Sequence, residues 1–105
     1  MRGAWALLLL AGCTVEPTPD EAALERYEEA DRLFAAGRYA EAAPLYESVI
    51  AVRDRVKGAY FRLADCRERL GDPAGAAEAL ERLLRIDRHD GEALRRLERL
   101  KGTGK

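Results

Sequence analysis

The apolar positions of this chain recur at helical spacing. Leu24, Tyr27, Ala30, Leu33 and Phe34 step by threes and fours, which lays them along one side of a helix. Leu94, Leu97 and Leu100 do the same near the other end. Turn residues divide the pattern into five helices. Thr18-Pro19-Asp20-Glu21 has the form of a capping box: Thr18 is the N-cap, Pro19 takes the first helical position where no N–H is needed, and Glu21 reaches back. A helix is predicted from Pro19 to Ala36. Gly37 suits the left-handed residue that ends it. Tyr39 restarts a second helix to Val52, with Pro44 inside it predicting a slight bend. After a loop at 53–55 a third helix runs from Val56 to Leu70, stopped by Gly71. Asp72-Pro73 caps and opens a fourth that reaches Ile86. Asp90 caps a fifth, Gly91 to Lys101, and Gly102 to Lys105 form a polar tail.

The turns echo one another. Ala-Gly-Arg-Tyr-Ala-Glu-Ala-Ala at 36–43 returns as Leu-Gly-Asp-Pro-Ala-Gly-Ala-Ala at 70–77, so Gly37 pairs with Gly71 and Ala42 with Ala76 at one 34-residue offset. A fixed period of this length means stacked helix pairs, each burying its face on the next, in place of one undivided core. The fold expected is therefore all-α, an antiparallel helix-pair solenoid.

Residues 1–12 break the pattern. Met1-Arg2 carry a charge, Ala4 to Ala11 form an unbroken apolar run, and Gly12-Cys13 closes it. The run is too short to span about 30 Å of hydrocarbon and reads as a secretory signal. Leu10-Ala11-Gly12-Cys13 resembles the lipobox of bacterial lipoproteins, in which cleavage precedes a cysteine that becomes acylated. The resemblance implies a signal peptide at 1–12, lipid on Cys13, and a tether at 13–18 held off helix by Pro17 and Pro19. It also implies the cell envelope as the location. Thr14 beside that cysteine is compatible with the outer membrane, facing the periplasm, since an Asp there signals inner-membrane retention. Multiple acyl chains hold far more firmly than one.

Composition narrows the function further. Eighteen Lys+Arg against nineteen Asp+Glu leave a net charge of -1, which removes the positive field a nucleic-acid binder needs. The charge is unevenly placed: residues 16–31 are acidic, through Glu16, Asp20, Glu21, Glu25, Glu28, Glu29 and Asp31. Residues 82–105 are basic, through Arg82, Arg85, Arg88, Arg95, Arg96, Arg99, Lys101 and Lys105. With Cys13 acylated, Cys66 is left without a disulfide partner and reads as a small buried residue. His89 has no second His or spaced Cys with which to hold a metal. Gly71 and Gly75 lack the Lys and Ser/Thr of a phosphate loop. The carboxylates fall at the intervals of solvated helix faces. No catalytic constellation forms and no cofactor is expected.

The repeat resembles the tetratricopeptide repeat, with units at 23–56 and 57–90 and a half-repeat at 91–101, the whole domain spanning 19–101. Ala30 and Ala64 meet the family's small position in the first helix of a pair, and Ala42 and Ala76 the small position early in the second. Tyr46 and Leu80 match the large apolar position four residues on; Tyr60 and Leu63 match the aromatic and leucine positions. Arg26 and Glu29 depart from the pattern in the first helix, as does Arg67 where a tyrosine is usual, and Asp54 and Arg88 where a proline is expected. The resemblance implies binding of a protein or peptide segment by the face made of the first helices, through Tyr27 and Asp31, Phe61 and Asp65, then Arg95 and Arg99. The Lys and Asn clamp for C-terminal carboxylates is absent. The implied function is a non-catalytic adaptor or scaffold for an envelope complex, anchored to the membrane by lipid and not binding nucleic acid. The alternative is a structural lipoprotein that self-associates into homo-oligomers, its acidic start against its basic end.

Overall fold

A computed structural model describes residues 16–103, and among these the chain is five α-helices with no strand. They are α1 Pro19–Ala35, α2 Tyr39–Val52, α3 Lys57–Arg69, α4 Pro73–Ile86 and α5 Gly91–Thr103. The leader, Cys13 and Thr14 lie outside the described residues. No described helix is long and apolar enough to cross a membrane.

Local chemistry explains the helix ends. The Thr18 hydroxyl accepts from the Glu21 N–H at 3.1 Å, while the Glu21 carboxylate accepts from the Thr18 N–H at 3.1 Å, which completes the capping box. Asp72 accepts from the Gly75 N–H and Asp90 from the Ala93 N–H, both at 2.9 Å. Gly37 and Gly71 take φ of 79° and 80°, a region costly for a residue with a Cβ. Around each, two bonds close the same Schellman turn: Gly37 N–H to Phe34 O and Arg38 N–H to Leu33 O, then Gly71 N–H to Glu68 O and Asp72 N–H to Arg67 O. Every member of the second pair is 34 residues after its counterpart. The repeat is thus present in the hydrogen bonds as well as in the letters.

Each helix packs on the next in the chain, and the core runs as one continuous cluster along the stack. Ala30, Ala42, Ala59, Ala76 and Ala79 are fully buried in it, where a missing side chain lets helices approach. Tyr46, Leu63, Leu80 and Leu83 fill the space between them with no exposure. The assembly is an all-α, antiparallel helix-pair solenoid.

Two local expectations change. Leu24 was expected in the apolar stripe of α1, but it is 56% exposed and Ala23 is buried in its place. The stripe that α1 buries is therefore Ala23, Tyr27, Ala30, Leu33 and Phe34, a small rotation towards its neighbours. The last helix also continues beyond Lys101 through Gly102 to Thr103, where a polar tail was expected. The two added residues continue the backbone hydrogen-bond ladder, which offsets the entropic penalty of a single glycine near the helix end. Helix α2 runs unbroken through Pro44, whose side is exposed.

Candidate functional site

The side of the stack formed by α1, α3 and α5 carries the six candidate residues, and the structure does different things with them. Tyr27 is half-buried. Its ring meets Tyr46 edge-on at 5.9 Å, and its hydroxyl lies so close to Gly58 that a Cβ there would collide with it. Burial, then the charge of Asp31, holds its phenol above the usual value. Asp31 is exposed but engaged: it accepts from the Tyr46 hydroxyl at 2.5 Å and lies 3.8 Å from Arg62 Nε. Burial and that hydrogen bond push the Tyr46 hydroxyl upward as well.

One repeat on, the arrangement returns with different geometry. Arg96 lies over the Phe61 ring at 4.8 Å and donates to Asp65 at 3.0 Å, while Arg62 lies over Phe34 at 4.9 Å. Arg62 and Arg96 are themselves 34 residues apart. Each reaches back from one first helix to the acid of the preceding one, Asp31 or Asp65, so these pairs tie consecutive repeats together. A cation over an aromatic face and beside a carboxylate is held by both. Asp65 and Arg96 are each 27% exposed, Asp31 and Arg62 each 48%; the second junction is the drier one.

Arg95 and Arg99 stand on α5, the last of the described helices. Arg95 pairs with Glu92 at 2.8 Å and Arg99 with Glu68 at 3.2 Å, with side chains 71% and 55% exposed. Glu92 also receives Arg96, and these two arginines hold its carboxyl below the usual range. The face is therefore a strip of aromatics, acids and arginines already paired with one another, open enough for a ligand to compete for the partners. Exposed pairs of this kind contribute little each, so exchanging them for a ligand's charges is energetically close to level.

Arg62 and Arg96 were not singled out from the sequence, though their own 34-residue spacing marked them. The departure at Arg67 also has a role. Its guanidinium donates to Glu47 at 2.5 Å, to the Gly75 carbonyl at 3.0 Å and to Glu78 at 2.9 Å, and Arg82 donates to Glu47 at 3.1 Å. This network joins α2, α3 and α4 where a tyrosine would have offered one hydroxyl. At the opposite edge Lys57 donates to Asp87 at 2.6 Å and to Asp90 at 2.8 Å. These bonds raise its ammonium to about 12 and lower both carboxyls.

Among the described residues no group of His, Cys, Asp and Glu is placed to hold a metal ion. His89 lies exposed in the loop before α5, its N–H donating to Asp87 at 3.2 Å. Burial pushes the Cys66 thiol up to about 11, which suits an inert core residue.

Stacked helix pairs with a charged and aromatic face along their first helices define a solenoid of the protein-interaction class. The family profile of the tetratricopeptide repeat matches residues 27–93. The chain belongs to that family, whose repeats mediate protein–protein contacts and are typically non-catalytic. No curated protein matches it.

Proposed function

We propose that this protein is a lipid-anchored adaptor of the bacterial envelope, a small scaffold tethered through Cys13 that presents its first-helix face to a segment of a periplasmic or membrane protein. The observation that carries the adaptor role is the half-open strip from Asp31 and Arg62 to Arg95 and Arg99, whose charges are matched among themselves and remain within reach of a partner. A bound segment would bring an apolar anchor for the edge of Phe61 together with charges of both signs, as an extended peptide or a helix. The anchor rests on the order of apolar run, small pair and cysteine at the N-terminus.

Both parts are tested in cells. Cys13→Ser is expected to leave an unprocessed precursor with no acyl label; maturation and membrane partition of that variant would remove the anchor from the reading. A photo-crosslinking residue at the exposed Arg95 position is expected to trap a partner protein, and Arg62→Glu together with Arg96→Glu to lose it while the protein stays folded. Undiminished trapping after both reversals would move the binding surface elsewhere.

A further inference from the structure

The two ends of the stack differ from its interior in a matched way. Inside, residues 62 and 96 are arginines that reach back to acids at 31 and 65. The position equivalent to 62 and 96 in the first helix is Glu28, and the position equivalent to 31 and 65 in the last helix is Arg99. The sign of the junction is reversed at both ends together. Next to Arg99, Arg95 stands where Phe61 stands one repeat earlier. Glu28 and Glu25 are exposed.

Apolar surface accompanies the charge. Leu94 and Leu97 occupy the positions of Tyr60 and Leu63, which are buried under α4; among the described residues no such helix covers α5, and Leu94 is 46% exposed and Leu97 half-buried. They line a shallow cleft with Glu98 and Lys101. At the other end Leu24, 56% exposed, borders a cleft formed with Ala23, Tyr27, Val49 and Val56.

We infer that a second copy of this chain docks head to tail, the α1 end of one copy on the α5 end of the other, with Glu28 between Arg95 and Arg99 and Leu24 beside Leu94. The internal offsets carry over directly. Asp65 meets Arg96 and Phe61 meets Arg96, at separations of 31 and 35 residues. Continuing the 34-residue count into the next copy puts Glu28 at the same separations from Arg99 and Arg95. Leu24, one turn before Glu28, then falls beside the turn of α5 that carries Leu94. The opposite charges of α1 and α5 favour this pairing over α5 on α5, which would set arginine against arginine. With no described second helix over α5, the junction keeps only first-helix contacts, and association is weak and salt-sensitive. The contact is heterologous, so it adds copies head to tail, into open chains unless its rotation closes a ring.

The test uses two differently tagged full-length chains co-expressed, with brief formaldehyde crosslinking in the cell and detection of one tag in immunoprecipitates of the other. The wild-type pair is expected to give an adduct. Leu24→Asp in both copies, or Leu94→Asp in both, should reduce it at least tenfold. Combining Leu24→Asp in one with Leu94→Asp in the other leaves one intact junction and should restore it, which also shows that both variants fold. As a second route, Glu28→Arg in both copies, or Arg99→Glu in both, should also lower the adduct, and Glu28→Arg in one copy with Arg99→Glu in the other should restore it. No wild-type adduct, an adduct that survives Leu24→Asp in both copies, or recovery in neither mixed pair would each overturn the inference.

Discussion

A side chain in this fold is often decided by a residue far away in sequence, as at Gly58. Within α3 a glycine is a poor helix former, about 1 kcal/mol worse than alanine, yet the Tyr27 hydroxyl occupies the space an alanine methyl would need. Gly58→Ala is therefore expected to destabilise the wild type, since overpacking costs about 1 to 3 kcal/mol and exceeds the gain in propensity. In a Tyr27→Phe background the obstruction is gone, and the same change should stabilise by about 0.5 to 1 kcal/mol. Denaturant melts of the four proteins in this cycle give the answer, and an unchanged sign between backgrounds would show that the hydroxyl is not the obstacle. Cys66 offers a second check at this scale. With its thiol fully buried and raised to about 11, it should resist alkylation at neutral pH in the native protein and react promptly in denaturant.

The helices were largely legible in the sequence because their ends are built from local chemistry. Thr18, Gly37, Gly71, Asp72 and Asp90 each act on residues within five positions, so a linear reading finds them. Arg67 was legible only as a departure, since its partners Glu47 and Glu78 lie on neighbouring helices. Phe61 and Asp65 were picked out by spacing, whereas Arg96, which lies across both, belongs to a helix 31 residues further on. Leu24 misled for a related reason: helical periodicity gives the width of an apolar stripe but not the small rotation that decides its edge. Helix crossings give a direct test. Ala76 has no exposure, so Ala76→Leu should lower stability by about 1 to 3 kcal/mol, while Ala74→Leu on the exposed first turn of α4 should change little. Equal melting temperatures would place the close crossing elsewhere.

Taken as a whole, the molecule is stitched lengthwise by charge. Lys57 joins the start of α3 to the loop before α5 through Asp87 and Asp90. Both carboxyls are held below their ordinary value of 3.8, so their contribution is complete above about pH 4 and is lost as pH falls through their lowered values. The Lys57 ammonium is raised from 10.5 to about 12; its contribution is complete below 10.5 and disappears as pH rises through 12. Lys57→Met should accordingly narrow the stability difference between pH 7 and pH 3 relative to wild type, measured by denaturant midpoint. A parallel pH profile for the two proteins would mean that the ion pairs are solvated away.

The Schellman turns at Gly37 and Gly71 repeat bond for bond, and this makes the unit between them a transferable cassette. Duplicating Lys57–Asp90 directly after Asp90 would bring its own Gly turn, its own Asp cap and its own Lys57 clasp. The inserted Arg62 would face Phe61 and Asp65 in the role Arg96 now fills. Nearest-neighbour coupling in a one-dimensional array adds interface energy with each unit, so the lengthened chain should melt at a higher temperature and with a steeper transition than the original. Length, in such a molecule, is an adjustable dimension: evolution or an engineer could set its reach by counting cassettes without redesigning a single contact.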